Sequence, residues 1–162
     1  MTFRFNDFNN AYTRLFITIV TKDRVKYLGT IEAYSMVHSN AGKIVLDIWQ
    51  KIDFNREDII RDIFVIMPEH LHGIIWLKTD PDFPLNKNVY MKKGEVFKIS
   101  RIENIVKAFK STVTKLVRDG GDNIEWQRGY HCQIISSNQE YENKKDYIIK
   151  NPEQYKNSRQ TT

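Results

Sequence analysis

Cysteine, proline and glycine are scarce in this 162-residue sequence, which contains 1, 4 and 7 of them respectively. The single cysteine, Cys132, excludes an internal disulfide and is typical of a reducing compartment. The low glycine and proline content excludes collagen-like and disordered chains. The longest apolar runs, Leu15–Val20 and Ile63–Met67, are far shorter than the roughly 18 residues of a membrane span. We therefore expect one cytoplasmic domain over residues 1–162, without membrane association.

Positive charge is concentrated in one stretch of the chain. The sequence has 25 lysines and arginines against 20 acidic residues, which gives a net charge of +5. Nine of the basic residues lie between Lys87 and Arg118, where only Glu95 and Glu103 oppose them. Such a localised basic face is typical of proteins that bind polyanions, although a solvated lysine-rich helix gives the same pattern.

Hydrophobic patterning predicts alternating strands and helices. Strands are predicted over residues 12–22, 59–67, 70–78 and 126–135, and helices over residues 41–52, 100–119 and 138–151. Residues 25–31 are expected to form a turn or short hairpin around Gly29, and residues 79–98 a long loop. This order predicts an α+β fold with helices packed on a ferredoxin-like βαββαβ antiparallel sheet.

Capping signals define the predicted helices. Asn40 is a candidate N-cap for the first helix. Capping boxes, Ser100-Arg-Ile-Glu103 and Ser137-Asn-Gln-Glu140, open the other two. Gly120-Gly121 is expected to end the second helix, and Pro152 to end the third near Asn151.

The second helix is predicted to be amphipathic. Its apolar stripe is formed by Ile102, Ile105, Val106, Phe109, Val113, Leu116 and Val117. The opposite face carries Lys107, Lys110, Ser111 and Arg118.

His70-Leu71-His72 lies at the start of the third predicted strand. Residues i and i+2 of a strand point to the same face, about 7 Å apart along the backbone. Two neutral imidazoles on one strand can bind a metal ion at two points, and at least one further ligand must come from elsewhere. The alternative is that these histidines only form hydrogen bonds within the sheet.

Tyr147 and Asn151 are four residues apart on the last predicted helix and therefore share one face. Tyr141, Ile148 and Ile149 are expected to anchor the helix on the sheet from another side. A phenol beside a carboxamide can act as a nucleophile next to a metal ligand. A tyrosine at a helix edge without a catalytic role is the alternative.

These two motifs resemble those of a known family. Phe64-Val-Ile-Met-Pro-Glu-His-Leu-His-Gly-Ile-Ile is similar to the histidine signature of HUH single-tyrosine transposases, and Tyr147-Ile-Ile-Lys-Asn-Pro152 is similar to their tyrosine helix. Three further stretches agree: Arg14–Thr21, Phe109-Lys-Ser111 and Trp126-Gln-Arg128. The resemblance covers residues 12–156 and is strongest to the REP-associated tyrosine transposases.

The resemblance implies a metal-dependent, single-strand DNA endonuclease and strand transferase that acts on hairpin or palindromic repeats through a 5′-phosphotyrosine. Tyr147 would be the nucleophile, while His70, His72 and Asn151 would bind Mg²⁺ or Mn²⁺. The implied partner is single-stranded or hairpin DNA, bound by a monomer or homodimer that associates with the nucleoid. Candidate phosphate contacts are Lys107, Lys110 and Arg118. Candidate stacking residues are Tyr90, Phe97 and Tyr130, and packing in the core is the alternative for each of these aromatics.

Three positions depart from the family pattern. Glu69 stands where asparagine is usual, Cys132 where an acidic residue is common, and Tyr155 where tryptophan is usual. Glu69 either adds a carboxylate near the metal or only alters the turn. Two other functions remain open on the sequence: a catalytically silent protein that binds DNA hairpins, and a metal-dependent hydrolase that uses water instead of Tyr147.

Overall fold

A computed structural model of the chain describes residues 11–79 and 100–157. The strands are β1 (Tyr12–Val20), β2 (Gly29–Glu32), β3 (Ser35–His38), β4 (Ile59–Met67), β5 (His70–Lys78) and β6 (His131–Ile135). The helices are α1 (Asn40–Gln50), α2 (Ser100–Asp119) and α3 (Asn138–Asn157), with a short 3₁₀ turn at Lys22–Arg24. None of the helices in the described part of the chain has the length and apolar character needed to cross a membrane.

The main sheet has four antiparallel strands in the order β4-β5-β1-β6. With α1 between β1 and β4 and α2 between β5 and β6, the chain follows the βαββαβ order. The predicted α+β class and ferredoxin-like sheet are therefore confirmed. β2 and β3 form a separate two-stranded hairpin.

The two faces of the sheet carry different apolar clusters. Alternate residues of β1, such as Leu15 and Ile17, join the large core that includes the apolar sides of α1 and α2. Phe16 faces the other way and packs with Ile74 of β5 and Ile148 of α3. β1 is thus internal and apolar on both faces, as its composition predicts. The second face is the one on which α3 lies.

The helix starts and ends partly match the predicted capping. The N-cap of α1 is Ser39 and not Asn40, because the Ser39 hydroxyl accepts the Gly42 amide at 3.0 Å. Gly121, with a φ of 87°, follows the last turn of α2 as predicted. The apolar stripe of α2 is buried except for Leu116, which is 39% exposed. The Ser100 side chain, part of the first capping box, lies outside the described residues.

The second capping box, at the start of α3, forms one of its two predicted hydrogen bonds. The Glu140 amide donates to the Ser137 hydroxyl at 3.1 Å. The Glu140 carboxylate instead accepts from the amide of Ser136, one residue earlier, at 2.9 Å. Both contacts still satisfy backbone donors at the helix start.

Two sequence predictions about turns and strands are wrong. The hairpin turn is formed by Ala33 and Tyr34, which have φ values of 45° and 64°, and Gly29 instead begins β2. A Cβ at Gly29 would lie 2.1 Å from the Val37 carbonyl oxygen, so glycine is needed there for close strand approach. The fourth strand of the main sheet, predicted over residues 126–135, is only β6, preceded by a single bridge between Trp126 and Thr21.

The predicted end of the last helix near Asn151 is also wrong, because α3 continues through Pro152 to Asn157. Proline removes one helical hydrogen bond, but its fixed φ is compatible with a helix. Tertiary contacts on both sides of Pro152 oppose that loss. Asn151 is 6% exposed, and the Tyr155 hydroxyl donates to Glu69 at 2.7 Å.

Candidate active site

The two histidines of the sequence motif lie next to each other at the start of β5. The turn Pro68-Glu69 connects β4 to β5, so that His70 is the first residue of β5. His70 and His72 are 6% and 8% exposed, and their ring centroids are 4.4 Å apart. The alternation of the strand thus brings the two imidazoles together on the face that α3 covers.

His72 is held from several sides. Its Nδ1 lies 2.8 Å from the Thr18 hydroxyl on β1, and its ring stacks on Phe16 at 5.3 Å. Burial, followed by the nearby positive charges of His70, Lys144 and Arg24, lowers the pKa of His72 to about 3. The ring is therefore neutral at physiological pH, and a neutral imidazole has a lone pair available for a metal ion.

Tyr147 projects from α3 toward His72. Its hydroxyl lies 3.4 Å from His72 Nε2, while the residue remains 43% exposed. Asn151, one turn later, is buried, and it lines one cavity together with His70 and Tyr147. The i and i+4 relation predicted from the sequence thus places a phenol and a carboxamide beside the histidines.

Tyr141 and Ile148 anchor α3 on the sheet. The Tyr141 hydroxyl donates to Asp62 on β4 at 2.8 Å, and Ile148 is 1% exposed in the second apolar cluster. Burial and the hydrogen bond to Asp62 raise the pKa of Tyr141. The expectation that Ile149 also packs on the sheet is wrong, because this residue is 58% exposed.

An open cavity of about 320 Å³ lies where α3 meets the start of β5. Its lining residues are Arg24, Glu69, His70, Tyr147, Asn151, Gln154 and Tyr155. The cavity is therefore polar, and Tyr147 is exposed to solvent in it.

Glu69 is buried in the wall of this cavity. The residue is 2% exposed, and its carboxylate accepts from the Tyr155 hydroxyl at 2.7 Å. Burial alone would raise the pKa of Glu69, but its contacts with His70 and Tyr155 and the charge of Arg24 outweigh this effect and lower the pKa. Two of the positions that depart from the family pattern, Glu69 and Tyr155, thus contact each other.

The two neighbouring imidazoles of His70 and His72 are donors of the kind that divalent cations bind. Both ring nitrogens of His70 are buried and have no hydrogen-bond partner among the described residues. Its Nδ1 lies 3.4 Å from a Glu69 oxygen without hydrogen-bond geometry. A buried imidazole without partners is costly unless something binds it. Within residues 11–79 and 100–157, no group of three His, Cys, Asp or Glu side chains is arranged for a metal. Asn151, whose carboxamide oxygen is a further donor, lines the same cavity as His70.

The basic residues of α2 line a separate cavity of about 620 Å³, which does not include any residue of α3. Lys107 forms an ion pair with Glu103 at 2.9 Å. Lys110 donates to the carbonyl of Gln127 at 2.8 Å and also to that of Gly129. Burial lowers the pKa of Lys110. Lys110 thus satisfies two backbone carbonyls in the segment that precedes β6.

The remaining candidates are only partly described. Tyr90 and Phe97, and all of the predicted long loop except Thr79, lie outside the described residues. Tyr130 is half-buried, and its hydroxyl is buried without a hydrogen-bond partner in the described structure. Burial raises the pKa of Tyr130 to about 12.

Sequence reasoning missed two residues of the site. Thr18, which contacts His72 Nδ1, is on a different strand, and only the β1–β5 register pairs the two residues. Arg24 lines the cavity from the 3₁₀ turn, where the sequence has no motif. For the buried carboxylate of Glu69, the departure from the family pattern at that position was a local sequence signal.

Comparison with known proteins places the chain in a family. No known protein-family profile matches it. An uncharacterized protein of Haemophilus influenzae (strain ATCC 51907 / DSM 11121 / KW20 / Rd) is 33% identical over 144 residues, which are 85% of this chain and 78% of that protein. The chain belongs to one family with this Haemophilus protein.

Solved structures identify the fold of this family member. A REP-associated tyrosine transposase bound to a REP hairpin aligns with a TM-score of 0.56 and 19% identity, over 96% of this chain and 74% of that one. A protein from Deinococcus radiodurans R1 that is assigned as a transposase aligns with a TM-score of 0.47 and 15% identity, over 94% of this chain and 97% of that one. The first alignment shows that the chain has the tyrosine transposase fold. The resemblance read from the motifs is thus confirmed at the level of the fold.

Proposed function

We propose that this protein is a metal-dependent single-strand DNA endonuclease and strand transferase of the HUH type, with Tyr147 as its nucleophile. One observation carries the proposal: the Tyr147 hydroxyl lies 3.4 Å from His72 Nε2, in a cavity that His70 and Asn151 also line. A nucleophile within reach of a candidate base or ligand is the arrangement that covalent catalysis requires.

In the proposed reaction, the Tyr147 oxygen attacks the phosphorus of a phosphodiester. A bond forms between the phenolic oxygen and phosphorus, and the bond from phosphorus to the 3′ oxygen breaks. The phenolic proton is lost and the 3′ oxygen gains a proton, which leaves a 5′-phosphotyrosine and a free 3′-hydroxyl. Because the phosphodiester energy is conserved in this link, attack by a 3′-hydroxyl can rejoin the strand without ATP.

His70, His72 and Asn151 would hold the divalent cation, Mg²⁺ or Mn²⁺. When bound, such an ion neutralises charge on the non-bridging phosphate oxygens and favours nucleophilic attack. The imidazoles favour Mn²⁺ over Mg²⁺, whereas the carboxamide and phosphate oxygens suit either ion. Thr18 supports this role because its contact with Nδ1 fixes the orientation of the His72 ring.

DNA hairpins are the proposed substrate. The solved tyrosine transposase that shares this fold was bound to a REP hairpin. The net charge of +5 favours a polyanionic partner. Lys107, Lys110 and Arg118 lie outside the cavity that contains Tyr147 and are proposed to contact the hairpin backbone away from the reacting phosphate. Lys107 and Lys110 would exchange their contacts to Glu103 and to the carbonyls of residues 127 and 129 for phosphates.

The decisive experiment incubates labelled hairpin DNA with protein and Mn²⁺ and separates the products on a denaturing gel. The unaltered chain should give a covalent protein–DNA species, and Tyr147→Phe should give none while still binding DNA. Tyr34→Phe is the matched control, since Tyr34 is exposed to a similar degree, at 56% against 43%, but lies in the β2–β3 turn. Adduct formation by Tyr147→Phe would assign the nucleophile elsewhere.

Two further results would replace the proposal. Cleavage by the unaltered chain without any adduct would favour the hydrolase that uses water, and binding without cleavage would favour the silent hairpin-binding protein. Calorimetry with Mn²⁺ on the unaltered chain and on His72→Ala tests the cation site separately. Equal affinity in these two proteins would exclude His72 as a ligand.

A further inference from the structure

The 3₁₀ turn after β1 holds Arg24 in an unusual backbone conformation. Asp23 and Arg24 both have a φ of 53°, in the left-handed region that side-chain-bearing residues rarely adopt. The turn is nevertheless fixed. The Thr21 hydroxyl donates to the carbonyls of Val25 at 2.7 Å and Glu69 at 2.9 Å. Strained conformations that the surroundings hold in place occur preferentially at functional sites.

Arg24 lies between the cavity of Tyr147 and a second cavity. One guanidinium nitrogen is 3.6 Å from the Glu69 carboxylate, but 62% of the Arg24 side chain is exposed. Arg24 lines the cavity that contains His70 and Tyr147, and it also lines a cavity of about 600 Å³ between residues 22–24 and 125–128. A DNA strand that leaves Tyr147 toward the second cavity therefore passes Arg24.

Residues that line the second cavity form hydrogen bonds to residues on the basic face of α2. Residues 125–129 lie between the second cavity and α2, and they form hydrogen bonds to α2. Trp126 Nε1 donates to the Thr114 hydroxyl at 3.2 Å, and Lys110 donates to the Gln127 carbonyl at 2.8 Å. Three cavities thus follow one another from Tyr147 past Arg24 and Arg128 to the surface near Arg118.

Two exposed arginines lie along this path, and Arg24 contacts the Glu69 carboxylate only at 3.6 Å. Lys22 is paired with Glu125 at 2.7 Å, and Lys115 is paired with Asp119 at 2.6 Å. Arg128 is exposed and forms no ion pair with a described residue. The planar guanidinium of arginine donates two parallel hydrogen bonds to a phosphate, which lysine cannot do.

We propose that Arg24 and Arg128 bind successive phosphates of single-stranded DNA beside the phosphodiester at Tyr147, and that the strand continues from there onto the basic face of α2. This inference rests on the proposed function, because it names the path of the substrate to the same site. A single strand suits the path, since its flexible backbone can bend around residues 125–129 and track a positively charged groove.

The test measures binding of a fluorescently labelled single-stranded oligothymidylate over a range of salt concentrations. All proteins carry Tyr147→Phe, so that no covalent reaction interferes. Arg24→Gln and Arg128→Gln should each weaken binding and reduce the slope of log affinity against log salt by about 0.7. Arg24→Lys should retain most of the slope, because it keeps the charge.

Arg56→Gln is the matched control. Arg56 is an arginine paired with Asp58, just before β4, at the end of the sheet opposite to His70. Its replacement should leave the slope unchanged. If Arg24→Gln and Arg128→Gln behave like Arg56→Gln, the proposal is wrong. It is also wrong if the slope falls only in Arg118→Gln, which would confine the strand to α2.

The failure of this path and the failure of the proposed reaction give different results. If the unaltered chain forms the covalent adduct while Arg24 and Arg128 do not affect binding, the path fails and the reaction stands. If both arginines control binding but no adduct forms, the path stands and the reaction fails. Arg128→Gln keeps the test conclusive should Arg24→Gln unfold, because Arg128 is an exposed residue without an ion pair in the described structure.

Discussion

Replacing Tyr155 by phenylalanine tests whether the last turn of α3 is fastened to the start of β5. The substitution keeps the ring and removes only the hydroxyl, which donates to Glu69 Oε2 at 2.7 Å. Glu69 is 2% exposed, so loss of the hydroxyl leaves a buried carboxylate with one hydrogen-bond donor fewer. The Arg24 guanidinium, at 3.6 Å from the other carboxylate oxygen, compensates only weakly.

The size of the effect follows from the charge of the acceptor. A hydrogen bond to a charged group contributes about 1.5–3 kcal/mol, and leaving a buried group unpaired costs a similar amount. We therefore expect the free energy of unfolding to fall by about 2 kcal/mol in Tyr155→Phe. For a domain of this size, that corresponds to a melting temperature lower by roughly 4–8 °C.

Tyr130→Phe is the matched control for this prediction. The Tyr130 hydroxyl is also buried, but it has no hydrogen-bond partner among the described residues. Removing a buried and unpaired hydroxyl should leave stability unchanged or raise it slightly. Urea unfolding followed by circular dichroism measures both variants, and hydrogen exchange of the amides after Pro152 locates the change. If the two variants differ by less than about 0.5 kcal/mol, the Tyr155–Glu69 contact does not stabilise the fold as argued.

Two further measurements, the stability of glycine variants and the alkylation of Cys132, test the packing of the sheet. Gly73→Ala should destabilise the protein by about 1–3 kcal/mol, because a Cβ there would lie 2.7 Å from the Trp49 ring, whereas Gly120→Ala meets nothing closer than 3.4 Å and should be tolerated. Equal melting temperatures of these two variants would contradict this account of Gly73. Burial raises the pKa of the Cys132 thiol to about 12. At pH 8 about one thiol in 10,000 is then ionised, against about a quarter for an ordinary thiol, so alkylation by iodoacetamide should be slow in the native protein and fast in urea. Fast alkylation of the native protein would show that the thiol is accessible and ionised.

The sequence was sufficient for those parts of the site that backbone geometry fixes locally. A strand places His70 and His72 on one face, and a helix places Tyr147 and Asn151 on one face, whatever the rest of the chain does. The turn at Pro68-Glu69 between two apolar runs was equally local. These relations depend on a few consecutive residues, so they leave a readable periodic pattern.

Only the tertiary structure decided how these pieces meet. Pro152 is a helix-ending signal when read alone, yet α3 continues because Tyr155 reaches Glu69, which is 86 positions away in the chain. Lys110 had the same sequence signature as Lys107 on the basic face, but the carbonyls of residues 127 and 129 engage its ammonium group. A hydrogen bond between distant residues depends on where the folded chain brings them, and that position has no periodicity in the sequence. The sequence by itself therefore determined which residues share a strand or a helix face, whereas packing determined which of their polar groups are already bound and which remain available.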